Sequence, residues 1–137
     1  MKTCPCHSGK PYQTCCQPYH TGQPPPTPEA LMRSRYAAYA LGKVGYVLKT
    51  EHPDSPRLKT DVAAFRKDLK WFCEHTEFVG LHILKQATTS LEQATVTFHA
   101  VLIQDGRDAS FTERSLFEKV NGRWLYVKPV TGRAWGA

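Results

Sequence analysis

The sequence predicts an α+β protein, with helices first and an antiparallel sheet after them, preceded by a short cysteine-rich segment. Three observations carry this reading. Four of the five cysteines lie within the first 16 residues. Apolar residues recur at helical spacing between residues 28 and 73. After Glu77 the pattern changes to period two, and Asp105-Gly106 and Asn121-Gly122 supply hairpin turns. Helices and strands segregated along the chain define the α+β class.

The chain has 137 residues, 41% of them hydrophobic and 22% charged, which suits one domain with a small appended module. Lys and Arg number 18 against 12 Asp and Glu, a net charge of +6. A balance of this size permits an anionic partner without requiring one. No run of 18 apolar residues is present, so no membrane-spanning helix is expected. No apolar stretch follows Lys2, so no secretory signal is read and the cytoplasm is the expected compartment.

The cysteines are Cys4, Cys6, Cys15, Cys16 and Cys73. In a reducing compartment thiols stay free, and adjacent Cys15 and Cys16 are poorly placed to bridge each other. The main physical reason to gather four thiols is a metal, and zinc takes four thiolates in a tetrahedron. Cys4-Pro5-Cys6 makes a tight first pair, His7 to Pro11 carries turn chemistry, and Cys15-Cys16 makes the second pair. Cys4, Cys6, Cys15 and Cys16 are therefore the expected ligands of one structural zinc ion. A redox pair is the competing reading. His7 and His20 are substitute ligands that a complete sulfur shell does not need. Four thiolates and one Zn²⁺ together carry −2, which brings the chain from +6 to nearer +4.

The run from Cys4 to Cys16, Cys-Pro-Cys-His-Ser-Gly-Lys-Pro-Tyr-Gln-Thr-Cys-Cys, resembles the SEC-C motif. That module is named for the C-terminus of the SecA translocation motor, where it binds zinc and contacts the chaperone SecB. Continuing through Gln17-Pro-Tyr-His20 and Thr27 to Tyr39, the chain is similar to the YchJ-like family of bacterial proteins. The resemblance implies a SEC-C motif ahead of a domain similar to nuclear transport factor 2, a curved sheet wrapped round a long helix in a cone. Longer family members carry a second SEC-C motif at the C-terminus; residues 131–137 here hold no cysteine. The expected organisation is a zinc module over 1–20, a proline-rich linker over 21–28 and the cone-shaped domain over 29–137.

Within the linker, Pro24-Pro-Pro26 favours an extended spacer, or else a loop packed on the domain. Thr27 is an N-cap, Pro28 a first helical residue and Gly42 a stop, with Leu31, Ala38, Tyr39 and Leu41 expected on the core face. A short helix from Val44 to Thr50 is broken by His52 to Pro56. Leu58, Val62, Phe65, Leu69 and Phe72 then mark one apolar stripe, with Lys59, Arg66, Lys67 and Lys70 on a solvated face. Cys73 reads as a small buried or half-buried apolar residue. Four strands are expected over 78–86, 94–103, 109–120 and 123–130, and Pro129 requires the last to be an edge or a strand end.

The chain has no Gly-rich phosphate loop, no His-Glu-x-x-His and no nucleophile elbow. Its one placement of chemical interest is Phe111, Glu113, Ser115 and Phe117, which alternate onto one strand face. A carboxylate carried inward needs a partner. Arg33 and Arg35 are available on the first long helix, and Arg35, which edges the apolar face, is the favoured one. These residues define a candidate pocket of Glu113, Ser115, Phe111, Phe117 and Arg35. His82 and His99 read as surface or satisfied strand histidines, and Arg123 to Lys128 interleaves aromatic and basic residues only faintly. The leading expectation is a zinc-stabilised interaction or adaptor protein with a protein partner. A small-ligand binder or enzyme using the cone is the alternative, and a weak nucleic-acid binder is the third reading.

Overall fold

The structure, a computed structural model, describes residues 2–131; the cysteine-free tail beyond Thr131 lies outside the described residues. A 3-10 turn at Tyr12–Thr14 and a short helix α1 (Gln17–His20) complete the cysteine-rich segment. Then follow α2 (Pro28–Leu41), α3 (Val44–Lys49), α4 (Pro56–Thr60) and α5 (Val62–His75). The sheet comprises β1 (Thr76–Thr88), β2 (Gln93–Gln104), β3 (Arg107–Asp108), β4 (Phe111–Val120) and β5 (Arg123–Thr131). No helix among the described residues is long and apolar enough to cross a membrane.

Helix α2 begins where its cap says it should. Thr27 Oγ1 accepts a hydrogen bond from the Ala30 amide at 3.1 Å, and Pro28 takes the first helical position. Gly42 ends the helix in the left-handed conformation at φ 72°, where a side chain would be strained. Leu31, Met32 and residues 34–39 are all buried, so the helix is enclosed on most of its circumference. Leu41, the last residue of the helix, is the exception: expected on the core face, it is 45% exposed.

The expected single stripe from Leu58 to Phe72 is two helices. Asp61 sits between them in an extended conformation and caps α5 by accepting from the Ala64 amide at 3.1 Å. Phe65, Leu69 and Phe72 reach the core, whereas Val62, in the first turn, is exposed.

The principal strands run antiparallel in the order β1-β2-β4-β5, with β3 pairing only to the end of β2. Both expected turns adopt positive φ at both central residues, 51° and 79° at Asp105-Gly106 and 52° and 78° at Asn121-Gly122. Register shifts at Phe78/Gly80 and Ile83/Lys85 bend β1, and two more bend the β4–β5 pair. β1 is longer than expected at both ends. The face that meets the helices carries Ala94, Val96, Phe98, Ala100 and Leu102 from β2, with Phe111, Phe117, Trp124 and Tyr126 beyond them.

Pro25 is buried, and Pro24 and Pro25 border a small cavity of about 50 Å³ with Tyr46 and Trp124. The proline-rich stretch therefore packs on the domain instead of standing free as a spacer. At the same edge of the sheet, residues 50–52 run beside β5. Tyr126 donates its amide to Thr50 O at 2.9 Å, and His52 donates its amide to Tyr126 O at 2.7 Å. This short parallel bridge carries Glu51 into the interior.

Candidate metal centre and a buried polar cluster

The cysteine segment folds back on itself through a short bridge between Thr3 and Pro11. Cys4 donates its amide to Lys10 O at 2.8 Å, and the His7 amide bonds Cys4 O at 3.1 Å. The reversal uses His7 at φ 62° and Gly9 at φ 85°. It brings the sulfurs of Cys4, Cys6, Cys15 and Cys16 within 4.8 Å of one another. The Cys6–Cys15 and Cys15–Cys16 separations are 3.6 and 3.9 Å. A tetrahedron with zinc–sulfur bonds of about 2.3 Å has sulfur–sulfur edges of about 3.8 Å, so the cluster has the size of a tetrathiolate shell.

The protonation chemistry of the bare cluster supports the same fit. Hydrogen bonding from Cys16, ahead of its other neighbours, pulls the Cys6 thiol down to about 4. Burial pushes Cys4 up to about 11, and the bond to Cys6 with burial pushes Cys16 higher still. Four thiols this close, three of them buried and Cys15 half-buried, cannot all ionise without a cation among them. Bound there, a divalent metal would supply a cross-link between the two cysteine pairs; with four protein ligands the shell is closed.

The segment is fastened to α2 and the sheet. Arg33 Nη1 donates to Cys6 O at 3.1 Å, and Ala37 packs among Cys4, Cys6 and Cys16. His7 Nε2 reaches Phe78 O at 3.2 Å, with its ring edge-on to Tyr36. His20 lies between Tyr12 and α2: Nδ1 is 2.7 Å from the Tyr12 hydroxyl and Nε2 is 2.8 Å from Ser34 O. Nε2 must donate to that carbonyl, so Nδ1 accepts from Tyr12, and burial holds His20 below the usual imidazole range. Both histidines join the segment to the domain and neither belongs to the sulfur cluster. Beside Cys15 and Cys16 an open groove of about 340 Å³ is bordered by Lys10, Thr14, Tyr19 and Arg33.

The second set of residues lies on the helix-facing side of the sheet. Phe111, Glu113, Ser115 and Phe117 all point inward, Glu113 with no exposed surface. Ser115 Oγ and the Tyr126 hydroxyl donate to Glu113 Oε2 at 2.5 and 3.0 Å, while Oε1 has no hydrogen-bond partner. Burial pushes this carboxyl up to about 7, against the lowering effect of the Ser115 and Tyr126 bonds and the Arg57 and Arg35 charges.

Arg35 is not the partner of Glu113. Its Nη2 donates to Glu51 Oε1 at 2.6 Å, and its Nη1 donates to Val47 O and Thr50 Oγ1. Arg57 Nη2 donates to the same Glu51 oxygen at 2.6 Å, and Ser55 Oγ donates to Oε2. Both guanidinium groups also lie over the Tyr126 ring, at 4.6 and 5.5 Å from its centroid. Glu51 and Arg57 were missed in the sequence because neither belongs to a periodic pattern. Arg33, the other arginine considered, pairs with Glu29. His99 bonds Thr112 on the outer face and stacks near His82.

The family model described as "YchJ, middle NTF2-like domain" matches residues 27–129, three quarters of the chain. The chain belongs to the YchJ family. A SEC-C motif model matches residues 2–18, the segment that carries the sulfur cluster. A UPF0225 protein of Deinococcus radiodurans is 42% identical over 129 residues, 93% of this chain and 88% of the relative. The UPF0225 protein YchJ of Shigella dysenteriae is 38% identical over 135 residues, 95% and 86% of the two chains. Among solved structures, a SEC-C motif containing protein from Rhodopseudomonas palustris superposes with a TM-score of 0.79. It shares 35% identity, with 96% of this chain and 97% of that one covered. The expected α+β architecture, a SEC-C motif ahead of a domain of the nuclear transport factor 2 type, is the one observed.

Proposed function

We propose that the chain binds one structural zinc ion through Cys4, Cys6, Cys15 and Cys16, and that the loaded module serves as a protein-docking element. The observation that carries the reading is the gathering of four cysteine sulfurs within 4.8 Å of one another, enough ligands to fill a tetrahedral shell. With no position left for substrate, the metal's work is to hold a surface in shape. That surface includes the groove beside Cys15 and Cys16, where Lys10 and Arg33 stand next to Tyr19. Tyrosine and arginine are residues that recur at the energetic centres of protein interfaces.

The test compares three forms of the protein as affinity baits: wild type with zinc, a variant with all four cysteines changed to serine, and Tyr19→Ala. The reading expects one partner retained by the wild type and lost by both variants, with zinc content unchanged in Tyr19→Ala. A partner that binds all three equally would overturn it, as would purified protein without stoichiometric zinc under reducing conditions.

A further inference from the structure

The four cysteines of the cluster are not equivalent. Cys4, Cys6 and Cys16 are buried, whereas Cys15 is half-buried. Cys15 also borders the open groove of about 340 Å³, together with Ser8 and Lys10. Cys16 lines the same groove with almost no surface of its own. A small solute entering the groove therefore meets Cys15 first. The nearest sulfur to that of Cys15 is the Cys6 sulfur at 3.6 Å, closer than Cys16 at 3.9 Å. Cys15 and Cys16 are neighbours in the chain, with Cα atoms ~3.8 Å apart, less than a relaxed disulfide spans. Cys6 lies nine positions away and carries no such restriction. Ser8 Oγ stands 3.1 Å from the Cys15 sulfur and donates to it once that sulfur is a thiolate.

We propose that Cys15 is a site of oxidation by peroxides, that Cys6 resolves the product to a disulfide, and that the disulfide empties the metal site. The inference rests on the zinc reading and gives that site a regulator. A bound divalent metal keeps its sulfur ligands ionised, and the thiolate is the form that peroxides oxidise. The Cys15 thiolate attacks one peroxide oxygen. An S–O bond forms, the O–O bond breaks, and the leaving oxygen takes a proton from solvent. Cys15 is then a sulfenic acid, and the Cys6 thiolate attacks its sulfur. The S–S bond forms, the S–O bond breaks, and the departing hydroxide takes a second proton as water. Two thiolates have given up two electrons, and one peroxide has become one alcohol, or water in the case of hydrogen peroxide, plus one water. Cys4 and Cys16 remain, half of the four ligands that a structural zinc site requires. They regain protons as the metal departs. The surface that the metal held in shape goes with it, until a thiol reductant and fresh zinc restore the site.

The experiment uses the full chain, reduced and loaded with zinc, and measures metal content first. A chain that holds no stoichiometric zinc at that stage overturns the zinc reading, and this proposal with it. Hydrogen peroxide is then added in small excess, and released zinc is followed with a chromogenic chelator. Disulfides are located by chymotryptic digestion, which can cut after Tyr12 between the two cysteine pairs, and fragmentation mass spectrometry. The expected result is loss of the whole zinc content with a Cys6–Cys15 disulfide, and full reloading after dithiothreitol and zinc. Cys73→Ser should behave as wild type. Cys15→His keeps a zinc ligand that cannot join a disulfide, and it should retain its metal through the same exposure. Wild type that stays loaded in peroxide overturns the proposal while leaving the zinc reading intact. So does a disulfide joining any other pair, or release from loaded Cys15→His at the wild-type rate. If Cys15→His takes up no zinc, the wild-type disulfide map decides alone.

Discussion

Arg35 and Glu51 form an ion pair in the interior, 2.6 Å from Nη2 to Oε1, with both side chains shut away from solvent. Sixteen residues and a whole helix separate them in the chain. The pair is held in place by the bridge between residues 50–52 and β5, and by a second guanidinium from Arg57.

Breaking this pair should be costly. Glu51→Gln removes the negative charge and leaves two guanidinium groups facing each other. Stranding a buried charge in this way costs about 3–5 kcal/mol. Urea denaturation at neutral pH should show a loss of that size. A loss below about 1 kcal/mol would mean that the surrounding hydrogen bonds, and not the ion pair, hold Arg35.

Glu113 should behave in the opposite sense. Its carboxyl lies near 7 in the folded protein against an ordinary value of 4.5. Below about pH 4.5 both states are protonated and the residue contributes nothing. Between 4.5 and 7 the unfolded chain releases its proton first, so stability falls as pH rises. Above 7 the penalty is complete, about 3 kcal/mol at 1.36 kcal/mol per unit. Glu113→Gln should therefore stabilise the protein at pH 8 by up to that amount and have little effect near pH 4.5. Paired denaturation curves at the two pH values check it; a variant destabilised at pH 8 would contradict it.

Removing the metal should divide the molecule. The sulfur cluster with Ala37 forms an apolar group of its own, separate from the main core. A segment this short has too little core to stay folded without its metal. Chelation under reducing conditions should speed amide exchange over residues 2–20 while β2 and β4 keep their protection. Loss of protection throughout the sheet would show that the two parts fold as one.

The cap of α2 should matter more than its exposed position suggests. Thr27→Ala removes the bond to the Ala30 amide and should cost about 1 kcal/mol. The helix it starts carries Arg33, which holds Cys6 O, and Arg35, which holds Glu51. A thermal melt reads the change directly, and Thr27→Ser should restore most of it.

Much of this was legible in the sequence, and what was not had a common cause. The cysteine spacing, the Thr27 cap, the two Xaa-Gly turns and the alternation from Phe111 to Phe117 are local signals, each decided by residues within a few positions of one another. The partner of Arg35 was misread because Glu51 reaches it only after a helix break and a bridge to β5, which no local pattern encodes. The break at Asp61 was hidden by apolar spacing that continued across it from Leu58 to Phe65. Leu41 has the periodicity of a core residue, but it is the last residue of its helix and stands 45% exposed.

One contact described above also bears on how the molecule keeps to itself. β1 is an edge strand, and its carbonyls at Phe78 and Gly80 are engaged by side chains, one by His7 from the cysteine segment and the other by the Tyr36 hydroxyl. Nearby Val79 and Leu84 are exposed. Open strand edges with apolar flanks recruit other strands. When the metal leaves, His7 leaves with it, and the Phe78 carbonyl becomes a free rung for a neighbouring chain. On the proposed zinc reading, metal occupancy would then guard against self-templated growth. Chelated protein should scatter light at concentrations where the loaded form stays clear, and His7→Ala should do the same with its metal in place.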